Sequence, residues 1–180
     1  MAYQKLQARE ALAVIPDANV PIPDPNTAIN LIDAGTTATD GVTAFEVVAN
    51  AGSVLTGAGT KFTEMNIPIG AIVYNSTSSE AYFVVSVDSD TQITVNKAVT
   101  GTATDTITIY TKATVGCTLY IGTAGDVTVQ MAEINGNTVA AAAPANAEVT
   151  YKNVGNAGLL PIQVRRVDDT TTASDIVAMW

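Results

Sequence analysis

The chain has 180 residues, enough for one medium domain or two small ones sharing a core, and no run of eighteen apolar residues that would span a bilayer as a helix. Its net charge of −9, from seventeen acidic and eight basic side chains, repels phosphate backbones and argues against nucleic-acid or membrane partners. With no histidine and one cysteine, it excludes Ser–His and Cys–His catalysis, a disulfide framework and a cysteine-based zinc cage.

Residues 3–13 (YQKLQAREALA) have helix-forming composition. Pro16, Pro21, Pro23 and Pro25 follow, so any helix is held to one to three turns and the proline stretch reads as an extended arm. This N-terminus lacks the apolar core of a secretory signal. From there on Thr, Val and Ile dominate, in short runs separated by Gly, Asn, Asp and Ser, a pattern that favours the pleated sheet. Strands are expected at 43–49 and 70–75. In EAYFVVSV (80–87), Ala81, Phe83, Val85 and Val87 share one face, with Tyr82, Val84 and Ser86 on the other. Asp88–Asp90 turn this strand into TQITV (91–95), a β-hairpin. Further strands fall at 105–110 and 117–121, and Asn135-Gly136 supplies a type I′ hairpin turn within DVTVQMAEINGNTV. The alanine run 140–143 reads as a loop before Pro144. Strands at 147–151, 159–167 and 174–179 complete the set.

Two of these last strands carry more than a strand signal. In LLPIQVRRV, Leu160, Ile162 and Val164 share a face, and Arg166 then breaks the parity, which predicts a bulge or strand end near Arg165–Arg166. In SDIVAMW, Ile176, Ala178 and Trp180 line one face while Val177 and Met179 line the other. A strand apolar on both faces needs both faces covered. The domain core is one cover, and a loop or a neighbouring subunit is the other.

The expected architecture is all-β. An extended arm and first strand (1–27) and residues 113–180 form a small β-sandwich, sharing residues 10–27. An inserted β-barrel-like unit (33–112) lies between, bracketed by the small-residue stretches 33–41 and 111–116.

No stretch reads as a catalytic or cofactor site. TGAGTKF (56–62) has spaced glycines and a lysine, but TEMNIPIG follows where a phosphate loop requires a helix, so it reads as a turn. Asp88, Asp90, Asp126, Asp168 and Asp169 lack the spacing of a calcium loop and read as solvated turn carboxylates. Paired carboxylates could also cleave glycosides, but sequence spacing does not show which of them meet. Cys117 reads as a small buried residue. The six tyrosines fit core edges or an interface better than a sugar-stacking platform. Arg165 and Arg166 with Lys152 form the basic cluster of the C-terminal half, a solvated face or an intersubunit salt bridge.

CTLYIGTAGDVTVQM and VTYKNVGNAGLLPIQVRRVDDTTTASDIVAMW resemble small virion proteins of tailed phages and gene transfer agents, of the spike-base type. ALAVIPDANVPIPDP is similar to that family's first strand and proline-bearing arm, so the resemblance covers about residues 10–27 and 116–180. The block at about 33–112, absent from compact members, looks like β-barrel modules of phage structural proteins. The resemblance implies a non-enzymatic capsid decoration (cement) subunit or head-spike base in the virion, assembled in the host cytoplasm. It would dock on the major capsid protein or other virion proteins as a homo-oligomer, with no cofactor or metal. A tail, neck or fibre-attachment protein is the near alternative, and a glycan-binding or glycan-hydrolysing protein the distant one. The residues expected at interfaces are Tyr3, Leu6, Arg9 and Ile22 of the arm (1–25, the expected lattice-gripping segment), with Arg165, Arg166, Met179 and Trp180.

Overall fold

The computed structural model describes residues 8–29, 45–49, 52–57, 60–100, 105–132 and 148–180. Among them the chain is all-β and antiparallel. It divides into two compact units, whose described residues are 8–18, 114–132 and 148–180 in one and 19–29, 45–49, 52–57, 60–100 and 105–113 in the other. The chain therefore passes between units after Ala18 and again after Ala113.

The first unit is a six-stranded sheet made of β1 (Ala11–Ala13), β8 (Cys117–Thr123), β9 (Gly125–Met131), β10 (Glu148–Val154), β11 (Gly158–Val167) and β12 (Ser174–Met179), in the order β1-β12-β8-β11-β9-β10. β11 serves both halves, pairing β8 through its first part and β9 through its second. Its register slips between Val164 and Arg166, which is the bulge that the parity of LLPIQVRRV predicts. Leu119, Ile121, Val127, Val129, Val164, Val167, Ile176 and Ala178 are all buried. Burial of each large member contributes about 1.5–3 kcal/mol.

Residues 11–13 form a strand rather than the end of a helix. Their propensity is overridden by pairing: Ala11, Leu12 and Ala13 lie opposite Met179, Ala178 and Val177 on β12. A one-residue step at Ala124 separates β8 from β9, and Gly125 lets the backbone of Thr172 and Ala173 press onto the start of β9. There the Thr-rich turn substitutes for a neighbouring strand. Asp126 N–H donates to the Thr172 hydroxyl at 2.8 Å, and Asp126 C=O accepts from Thr172 N–H at 2.9 Å. Thr128 N–H donates to the Thr171 hydroxyl at 3.1 Å.

The second unit closes on itself. β2 (Phe45–Ala49), β3 (Val54–Gly57), β4 (Ile72–Asn75), β5 (Glu80–Ser89), β6 (Gln92–Val95) and β7 (Thr106–Tyr110) pair in the cycle β2-β3-β6-β5-β4-β7, and β7 returns to β2 through two residue pairs. Leu55, Phe62, Val73, Tyr82, Val84, Ile93, Val95, Ile107 and Ile109 belong to its core. In β5 the core takes Tyr82 and Val84, the register against β6 shifts between Val84 and Ser86, and Val87 then packs on the core. Val85, at the shift, is left exposed. The alternation of EAYFVVSV thus marks a strand whose parity a bulge reverses.

The proline stretch from Asn19 onward is an integral part of this unit. Val20 and Ile22 are buried. Asp24 N–H bonds Lys112 C=O at 3.0 Å, Thr111 N–H bonds Thr27 C=O at 3.0 Å and Ile29 N–H bonds Ile109 C=O at 2.8 Å, which lays residues 24–29 along the end of β7. Isolated bridges join Pro23 to Ala113 and Ala28 to Tyr110.

Asn135-Gly136 and the alanine run 140–143 lie outside the described residues. Among the described residues, Gln130 of β9 pairs with Glu148 of β10.

Candidate functional site

The expected interface residues fall in different settings. Tyr3 and Leu6 lie outside the described residues. Arg9 is exposed, and its backbone N–H donates to the Trp180 carbonyl at 2.7 Å. Ile22 is buried in its own chain, so its side chain offers nothing to a partner. Val14 N–H bonds Ile176 C=O and Asp17 N–H bonds Val167 C=O, both at 2.9 Å. From Arg9 to Ile29 the arm is thus tied down repeatedly within its own chain, and residues 1–7 of the expected gripping segment lie outside the described residues.

Arg165 is half-buried at the β11 bulge, whereas Arg166 is buried, contrary to a solvated basic face. Arg166 and Glu148 sit in one cross-strand row, separated by Gln130. The Arg166 guanidinium pairs with the Glu148 carboxylate and lies 3.8 Å from that of Asp168. Lys152 is not in this cluster; its ammonium pairs with Asp126 at 2.7 Å. Burial by itself raises the Asp168 pKa, but the Thr170 hydroxyl and N–H, together with the Arg166 charge, outweigh it and hold the carboxyl below the ordinary range.

A lowered folded-state value means that this stabilisation is complete above the unfolded pKa, about pH 4, and is lost as pH falls through the folded value. Asp168→Asn is therefore expected to flatten the acid limb of stability measured by urea unfolding. An unchanged acid limb would refute the assignment.

Two further carboxylates, Asp88 and Asp126, are engaged by side chains and backbone of their own or a neighbouring strand. Asp88 accepts from the Ser86 and Thr94 hydroxyls, both at 2.6 Å. Asp126 accepts from Lys152 and, at 3.0 Å, from Asn153 N–H, which together hold its carboxyl below the usual range. No group of three metal-ligating side chains occurs among the described residues. Lys61 reaches Glu64 at 2.9 Å, and the Thr60 hydroxyl bonds the carbonyls of Gly57 and Asp90; Gly57 ends β3, and residues 58–59 of the glycine-spaced stretch lie outside the described residues. Burial pushes the Cys117 thiol up to about 12 and it donates to Val164 C=O, which leaves it un-ionised and inert near neutral pH.

What the first unit does present is an apolar outer face. β12 buries Ile176 and Ala178, leaving Val177 and Met179 half-buried on the opposite side. Tyr120 of β8 lies in register with Val177 on one flank and Leu159 of β11 on the other. Ala13 of β1 continues the row beyond Val177. Tyr120 is 37% exposed and Leu159 51%. Trp180 is half-buried and anchored: its indole N–H donates to the Thr114 hydroxyl at 2.8 Å and its backbone bonds Arg9 and Glu10. Among the described residues, Met179 is thus the expected interface residue that shares a face with the row. Val177 lies on the second apolar face that the sequence leaves to a loop or a neighbouring subunit, and Tyr120 is one of the tyrosines expected at a core edge or interface; Leu159 is the member of the row that the sequence reading did not single out.

No family model, curated protein or solved structure matches this chain.

Proposed function

We propose that the protein is a non-enzymatic virion component, a capsid decoration subunit or head-spike base, that docks through apolar surface as an oligomer. The observation carrying this reading is the two-sided apolar character of β12: one side is core, and the other lies in a partly exposed row with Tyr120 and Leu159. A contiguous apolar row left partly exposed in this way marks an interaction or ligand-binding surface. The carboxylates and thiol described above are engaged in turn and strand contacts, which supports binding over turnover. The resemblance of LYIGTAGDVTV, VTYKNV and LPIQVRRV to spike-base proteins supplies the setting. Weak contacts repeated over a shell gain strength through multivalency.

A cryo-microscopy map of the purified particle tests the proposal. Density for this chain on the capsid is the expected result. Density confined to tail or neck, or absence from the particle, would overturn it, as would turnover of host polysaccharide abolished by one carboxylate substitution.

A further inference from the structure

We infer that β10 is a detachable edge strand, latched to its sheet by the Glu148–Arg166 pair, and that loss of this pair opens β10 while the rest of the unit stays folded. This device belongs to the fold and does not depend on the virion reading. β10 ends the sheet: β9 is its neighbour, and no second strand flanks it among the described residues. It adds nothing to the core. Five of its seven residues are exposed and Tyr151 and Val154 are half-buried, whereas β8, β9, β11 and β12 each bury at least two side chains. A strand with few buried apolar contacts and an exposed ladder opens at lower free energy than the core strands beside it.

Polar contacts hold β10 in place. Beyond the ladder, the Thr150 hydroxyl meets that of Thr128 at 3.0 Å and the Tyr151 hydroxyl reaches the Met131 sulfur at 3.9 Å. Asp126 accepts from the Lys152 ammonium at 2.7 Å and from Asn153 N–H at 3.0 Å. The lysine side chain is 68% exposed, and ion pairs this exposed contribute little. The pair at the other end differs, because Arg166 is buried, with 7% of its side chain exposed. Its Nε has no hydrogen-bond partner among the described residues, and the Asp168 carboxylate stands off at 3.8 Å. Glu148 is therefore the close counter-charge of a guanidinium already short of hydrogen bonds, and withdrawing it leaves a buried charge poorly compensated. Opening of β10 relieves that penalty by admitting water to Arg166. The closed strand, and not the sheet as a whole, thus depends on Glu148. An open β10 bares the edge of β9 at residues 127–130, so the latch decides which strand ends the sheet.

Hydrogen–deuterium exchange of the full-length protein, followed peptide by peptide by mass spectrometry, is the test. In the wild type, the amides of residues 149–154 should exchange about tenfold faster than those of β8 and β12, after correction for intrinsic rates. Glu148→Gln should speed exchange in β10 by roughly a further tenfold and leave β8 and β12 unchanged. Adding Arg166→Met to that variant removes the stranded charge, so β10 should return towards the wild-type rate. A wild-type β10 as protected as β8 would overturn the inference, and that measurement needs no variant to fold. Equal acceleration of every strand by Glu148→Gln, or loss of the fold, would also overturn it, since the pair would then hold the whole unit. Failure of the second substitution to restore protection would do the same, because the stranded guanidinium would not be the cause of opening.

Discussion

Deleting Ile176–Trp180 is expected to unfold the six-stranded unit or to cost it several kcal/mol. β12 lies between β1 and β8, and β1 has no other strand partner among the described residues. The deletion removes the buried Ile176 and Ala178, the ladder to both neighbours and the indole bond to Thr114. Burial of Ile176 alone contributes about 1.5–3 kcal/mol. Whole-domain stabilities are about 5–15 kcal/mol, so the combined loss is a large fraction of the total. Urea unfolding followed by far-ultraviolet circular dichroism reads it directly. A truncated chain with an unshifted midpoint would show that β12 is dispensable to the fold, and the outer face would lose its support.

Gly125→Ala should be nearly as damaging, although it adds only a methyl group. An added Cβ would stand 2.4 Å from Ala173 N and 2.6 Å from its Cα, too close for any side-chain rearrangement to relieve. β9 or the Thr-rich turn must shift, breaking the hydrogen bonds between Asp126 and Thr172. Overpacking of this kind costs about 1–3 kcal/mol, occasionally more, and backbone crowding places this site at the upper end. Gly155→Ala is the matched control, since nothing lies within 4 Å of its added Cβ. Trp180 is the sole tryptophan and belongs to the same unit, so its fluorescence during denaturation distinguishes the two variants. Equal midpoints for both would contradict the close approach at Gly125.

The strands themselves were legible because β-branched runs and turn residues act locally. TQITV, CTLYIG and SDIVAM announce their elements through alternation that needs no knowledge of neighbours. The bulge at Arg165–Arg166 was legible because an arginine at an apolar parity position signals a break, but the break does not keep Arg166 out of the interior: it is buried beside Glu148 and Asp168. Residues 11–13 drew two readings: their composition favours helix in isolation, whereas the resemblance places a first strand there, and β12 supplies the ladder that makes them a strand. In β5 both parities are apolar, so the sequence could not say which one the barrel encloses.

Charge partners and surfaces were the least legible. Arg166, Gln130 and Glu148 come from three separate strands, and their alignment depends on two registers that no local signal encodes. The same holds for the outer row, in which β1, β12, β8 and β11 each contribute one side chain. By itself, then, the sequence determined the all-β class, most strand positions, the absence of histidine chemistry and the two-sided apolar nature of SDIVAMW. Tertiary structure decided that Pro21, Pro23 and Pro25 belong to the barrel unit, that Arg166 is buried and that Tyr120 and Leu159 stand side by side. The physical reason is range: strand propensity and turn chemistry act over a few residues, whereas register, burial and shared faces are settled only when distant strands pair.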